Sequence, residues 1–214
     1  MSDILELERI CLQFAHRKQI KKDPAHDINH VKRVLQLAKS IHQNEGGNLK
    51  VIIPSALFHD IVLIPKENPK SDLSTEKSGQ VAFRFLTNNC SHLMSSEEIA
   101  QTQKAITLCS FSKNLPKDCL ESKILQDSDG LEAVGSIAIM RSFTSGGLMN
   151  RPFYHLEDPF CENRQPEPKV YTLDLFYHRL FKIKERLFTE TAKSLCTQRE
   201  KILHDFIAQL KNEI

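Results

Sequence analysis

The sequence predicts an all-α fold, on three observations. Apolar residues recur at helical spacing through most of the chain, glycine is scarce at seven of 214 residues, and no two alternating apolar runs are joined by a hairpin turn. The elements follow in order. From His30 to Ile41 the residues Val31, Val34, Leu35, Ala38 and Ile41 keep a period near 3.6, with Asp27 placed to cap the start and Gly46-Gly47 to end the helix. Leu49 to Val62 is apolar all round, as a central helix must be, with Pro54 fitting its first turn or a kink. A polar loop, IPKENPKSDLS, precedes a helix over Thr75–Asn88 with Val81, Phe85 and Leu86 as its stripe. Ser95 and Glu98, three apart, form a capping box that opens a helix to about Cys109. One helix is expected over Leu120–Thr144, ending at Gly146-Gly147.

The segment 146–170 holds Pro152, Pro159, Pro166 and Pro168 and no periodicity, so a long loop is expected there, of the functional or mobile kind. Two helices, Leu173–Leu187 and Glu190–Asn212, close the chain. The expected organisation is one domain over 1–214, with a core over about 26–145, the loop 146–170 and C-terminal helices over 171–214.

Composition excludes several classes. An apolar fraction of 40% with 26% charged residues is that of an ordinary globular protein rather than a disordered one. No apolar run approaches the roughly 20 residues that span a bilayer, and the N-terminal MSDILELERI lacks the basic start of a signal peptide. A cytoplasmic protein with no membrane partner is the reading. The six cysteines are scattered without a CxxC pair, which argues for reduced thiols. A net charge of +2 gives no reason to expect a nucleic-acid partner, so anion binding must come from locally gathered Lys and Arg.

Against this helical background a few polar residues stand in apolar settings. His30 lies in HDINHVKRV, on one ridge with Val34. His59 and Asp60 sit together in SALFHDIVL, at the end of the most apolar helix, and Asp127 and Asp129 lie in LQDSDGLEAVGS. Each alone has an ordinary explanation, as a hydrogen-bonded core histidine or a helix cap. Together they ask a core to accept two imidazoles and several carboxylates, which it tolerates only when their polar groups are satisfied. One divalent cation does this for all of them. Two nitrogens with two oxygens suit Mn, Mg, Fe, Co or Ni, manganese foremost, better than the closed tetrahedron of structural zinc.

The order H…HD…D, here His30, His59-Asp60 and Asp129, resembles the HD superfamily of metal-dependent phosphohydrolases. HDINHVKRV, SALFHDIVLIPK, ILQDSDGLEAVGSIAIMRSFTSGG and LFYHRLFKIKERLFTETAKSL are more similar still to its bacterial YpgQ/YedJ-like branch, over roughly residues 10 to 210. The resemblance implies an HD-type helical bundle and metal ligation by His30, His59, Asp60 and Asp129. Asp127 then orients a ligand or water, with Asp127 and Asp129 close enough to compete for the metal.

It also implies hydrolysis of a nucleotide or other phosphorylated small molecule, with a nucleoside triphosphate cut to a monophosphate and pyrophosphate. A nucleoside monophosphate phosphatase is the alternative, and a degenerate nucleotide-binding sensor the alternative of another class. A diiron oxygenase is disfavoured, since His92 is the one histidine between the dyad and the last aspartate. Asp60 is the expected proton acceptor, and Lys66 a further catalytic residue on the phosphate. Arg141, Arg179 and Lys182 are expected to bind substrate, and 146–170 to act as a lid. The oligomeric state stays open, a homodimer included.

The chain departs from the family pattern at Gly130 for an arginine and Leu175 for a histidine. His178 and Arg179 stand for glutamate and lysine, and Cys109-Ser110-Phe111-Ser112 for His-Ser-Phe-Ser. None is one of the four ligands, so the departures bear on substrate rather than metal.

Overall fold

The computed structural model describes residues 2–19, 27–64, 68–109 and 117–214, and every regular element among them is helical. The chain divides into two compact units, Met1–Asp129 and Gly130–Ile214.

The first unit holds α1 (Ser2–Gln19), α2 (Ile28–Glu45), α3 (Leu49–Phe58), α4 (Ser74–Asn89), α5 (Ser96–Leu108) and most of α6 (Leu120–Gly130). Helix α1 was not expected from the sequence, although Leu7, Cys11 and Ala15, all fully buried, repeat every four residues along it. Its Phe14 stacks on Phe85 of α4 and meets Phe58 of α3 edge-on. Helix α2 begins as expected: the Asp27 carboxylate accepts from the His30 amide at 2.9 Å. Helix α3 is the central one, buried at every position from Val51 to Phe58, with Pro54 in its interior rather than its first turn. It stops at Phe58, four residues short of the expected Val62, and the Ile61 amide returns to the Phe58 carbonyl in a tight turn. His59 and Asp60 occupy that turn. The capping box of Ser95 and Glu98 forms with both of its hydrogen bonds.

Helices α3, α5 and α6 run side by side in the same direction because one residue gathers their first turns. Asn48, the N-cap of α3, donates its backbone N–H to Glu121 of α6 and its amide Nδ2 to Glu98 of α5, both at 2.9 Å. Its side-chain oxygen Oδ1 accepts from the Lys50 amide. The Glu98 carboxyl sits below its ordinary pKa: burial works against this, but hydrogen bonds from Asn48 and Ser95 outweigh it. The three C-terminal ends therefore converge at one level.

From α6 onward three expectations are corrected. The helix expected over Leu120–Thr144 is two helices: α6 ends at Gly130, a single tight turn follows over Leu131–Ala133, and α7 runs Ser136–Leu148. Gly135 makes the break. Its φ of +84° is costly for a side-chain-bearing residue, and a Cβ there would stand 3.3 Å from the Arg199 side chain. Nor do Gly146-Gly147 end a helix, because both lie inside α7. Gly146 is small for packing: a Cβ on it would fall 2.1 Å from Thr172 Oγ1. Gly146→Ala is expected to destabilise the protein by about 1–3 kcal/mol through overpacking, read as a lower midpoint in urea; an unchanged midpoint would show that Thr172 moves aside freely.

The helix expected over Leu173–Leu187 is one short turn of α-helix, α8 (Asp174–His178), followed by two 3-10 turns, whereas α9 (Glu190–Leu210) forms as expected. Arg179, at φ −134°, has left helical geometry. Between α7 and α8 the backbone is irregular but tied down. Asp158 accepts from the amides of Glu162 and Asn163, and Arg164 forms a bidentate pair with the fully buried Asp174 at 2.5 and 2.7 Å. The amides of Thr172 and Leu173 donate back to the carbonyls of Pro152 and Phe153.

Candidate metal centre

His30 arrives from the first turn of α2, and His59 and Asp60 from the turn that ends α3. Asp129 comes from the last turn of α6. Both imidazoles are buried, and the carboxylates are partly open, Asp60 at 23% and Asp129 at 30% side-chain exposure. The four side chains meet. The two Nε2 atoms are 3.3 Å apart; Asp60 Oδ2 lies 3.9 Å from His30 Nε2 and 3.6 Å from His59 Nε2; Asp129 Oδ1 lies 3.6 and 3.8 Å from the same two atoms. Asp127, two residues earlier on α6 and so about 200° away around its axis, is fully buried.

The donor chemistry fits a cation. His59 Nδ1 lies 2.8 Å from the Ala56 carbonyl, which can only accept, so Nδ1 carries the proton and Nε2 presents its lone pair to the cluster. Donors bound to one ion at about 2.1 Å stand about 3.0–3.4 Å apart, close to the spacings seen here. His30, His59 and Asp60 form a group able to hold a metal ion, and Asp129 faces the same two nitrogens. The carbonyl ends of α3, α5 and α6 add the negative pole of three helix dipoles, against the single amide end of α2. Such a place favours positive charge.

A family model of the HD domain matches residues 27–134, half of the chain and the whole span that carries this cluster. The chain belongs to the HD domain family. HD domains bind divalent metal ions, and this HD chain is a hydrolase of the metal-dependent phosphohydrolase type. It is 28% identical to YpgQ of Bacillus subtilis over 88% of its own length and 84% of that protein's. One crystal structure of YpgQ, a complex with ADP, superposes with a TM-score of 0.74 at 23% identity, over 97% of each chain. A Listeria innocua protein superposes with a TM-score of 0.74 at 31% identity, covering 98% of this chain and 96% of the other. A Bacillus thuringiensis HD-superfamily hydrolase gives 0.73 at 27%, covering 98% and 97%.

The residues expected to receive substrate are placed less uniformly. Lys66 lies outside the described residues. Arg141, Arg179 and Lys182 belong to the second unit: Arg141 Nη1 is 3.4 Å from the Glu132 carbonyl, the Arg179 amide closes α8 on Leu175, and Lys182 is exposed. Cys109, noted in the sequence only as a departure from the family wording, is buried beside the cluster. Its pKa is pushed well up, by burial first and then by the charges of Asp129 and Asp60. Ser55 and Gln126, one turn before His59 and Asp129, are buried with side-chain polar atoms that have no hydrogen-bond partner among the described residues. All six cysteines are free thiols, as their scatter suggested, and no helix among the described residues is long and apolar enough to cross a membrane.

Proposed function

We propose that this HD hydrolase acts on nucleotides, cutting a nucleoside triphosphate to a monophosphate and pyrophosphate, with manganese as the metal, in the cytoplasm. The observation that carries the reading is the convergence of two buried imidazoles and two carboxylates at one point. Support for a nucleotide comes from YpgQ, which has been crystallised with ADP. His30, His59, Asp60 and Asp129 would hold the cation. When bound, it supplies Lewis acidity, polarising a phosphoryl oxygen and making the attacking water more acidic.

The chain's own residues do the rest. The Ala56 carbonyl fixes the tautomer of His59, so that Nε2 is permanently a donor of electrons. Asp60 combines partial exposure with contact to both imidazoles and is placed to accept the proton of the attacking water. Water oxygen bonds to the α-phosphorus, the bridging oxygen leaves with the β-phosphate, and pyrophosphate departs.

The test is a panel of ribo- and deoxynucleoside triphosphates and monophosphates offered to Mn²⁺-loaded protein, with pyrophosphate and phosphate scored separately. Pyrophosphate with stoichiometric monophosphate is the expected result. Phosphate from monophosphates alone would move the assignment to a nucleotidase. Neither product, with wild type and His59→Ala indistinguishable, would remove the enzymatic reading in favour of a nucleotide sensor.

A further inference from the structure

Two imidazoles, two carboxylates and helix carbonyl ends line the cluster, and a phosphate tail needs positive charge beside them. A substrate with several negative charges must approach the negative poles of three helices and two aspartates, and a single divalent ion only balances the two carboxylates. A further positive group is required at the C-terminal end of the α3, α5 and α6 trio. Several cations of the first unit are held elsewhere. Lys39 pairs with Glu8, Lys104 with Asp118, and Lys50 Nζ donates to the Leu93 carbonyl, near the N-terminal end of α3.

Lys117 is at the right end. Its Nζ donates at 2.7 Å to the carbonyl of Leu108, the last residue of α5. Helix α5 packs along α3 with its first turn tied to the start of α3 through Asn48 and Glu98, so Leu108 stands level with His59 and Asp60. The Cys109 thiol, next in sequence to Leu108, feels the charges of Asp129, Asp60 and Lys117 together, the first two opposed by the third. An ammonium held on a helix carbonyl end, in reach of the same thiol as the two carboxylates, is an anchored cation at the rim of the metal cluster.

We propose that Lys117 is a substrate-binding residue of this site, receiving the anionic phosphate tail. The ammonium, anchored on the Leu108 carbonyl, sets its positive charge beside an incoming phosphate oxygen. The proposal rests on the phosphohydrolase reading of the same cluster. The ordinary alternative is that Lys117 merely caps α5, neutralising its carbonyl pole.

Titration of inorganic pyrophosphate into the full chain, with and without Mn²⁺, separates the two. Lys117→Met, which keeps the stem and removes the charge, is expected to weaken pyrophosphate binding about ten-fold and to raise KM similarly, as loss of one charge-assisted hydrogen bond does. Mn²⁺ affinity should stay unchanged, and Lys117→Arg should keep most of the binding. A fall in melting temperature with pyrophosphate affinity and KM intact in both variants would overturn the proposal and leave Lys117 a cap. So would wild-type protein that binds no pyrophosphate. If wild type binds pyrophosphate through Lys117 yet hydrolyses neither nucleoside triphosphates nor monophosphates, the enzymatic reading fails and this one stands.

Discussion

His59→Ala is expected to abolish both divalent-cation binding and phosphohydrolase activity while leaving the helical fold intact. His59 Nε2 is central to the cluster, within 3.3–3.8 Å of a donor atom on each of His30, Asp60 and Asp129. Its other nitrogen is already committed to Ala56, so no tautomeric shift can compensate. Losing only a hydrogen-bonded neighbour of a ligand typically costs 10- to 100-fold, or about 10–100, in metal affinity or activity; loss of a ligand should cost more. Titration of Mn²⁺ by calorimetry and pyrophosphate release from a nucleoside triphosphate measure both. Asp60→Asn should retain part of the metal binding and still lose about 10²–10⁴ in kcat, since its proton acceptor is gone. Chelation of the metal should give the His59→Ala phenotype in wild type, reversed by Mn²⁺. A His59→Ala protein with wild-type turnover would end the case for this centre.

Asp174→Ala is expected to be the most damaging single change in the second unit, costing about 3–5 kcal/mol, the range for breaking a buried ion pair from one side. Asp174 is fully buried and takes two hydrogen bonds from Arg164 and a third from the Glu167 amide at 2.6 Å, so its loss strands a guanidinium and frees the loop. For the same reason the pair carries a pH dependence. Burial alone would raise the Asp174 carboxyl, but Arg164 and the Glu167 amide hold it below its ordinary value. A carboxyl whose folded pKa is depressed contributes fully above its unfolded value of about 3.9, and the contribution is lost as pH falls through the folded pKa. Urea midpoints of wild type should therefore drop below about pH 4, where Asp174→Asn, already destabilised, changes less; parallel curves would show that Asp174 is not the group responsible.

Much of the chemistry was legible because polar residues are conspicuous in apolar surroundings. His30 beside Val31 and Val34, and His59-Asp60 after eight buried residues of α3, had few other reasons to be there. Their meeting point in space was a different matter: spacing along the chain put them on three helices and said nothing of which faces turn together. Lys117 escaped notice for the opposite reason, being one lysine among polar neighbours whose value depends on where α5 ends. The elements misread were those where local pattern and long-range packing disagree. The α6–α7 stretch keeps helical periodicity across Gly135, and only the Arg199 side chain lying against that glycine shows why the helix breaks there. Gly146-Gly147 has the composition of a helix stop, yet it lies within α7 because Thr172 needs the space a side chain would fill.

The sequence by itself determined the helical class, the caps at Asp27 and Ser95, and the prominence of His30, His59 and Asp60 in apolar surroundings, because each depends on a residue and its near neighbours. Tertiary structure alone decided that α3, α5 and α6 run parallel, that Asp129 rather than the opposite face of α6 is turned to the imidazoles, and that Cys109 and Lys117 stand at the same end. Those follow from Asn48 joining Glu98 and Glu121, residues 50 and 73 positions away in the chain, and hydrogen bonds at that separation have no local signature.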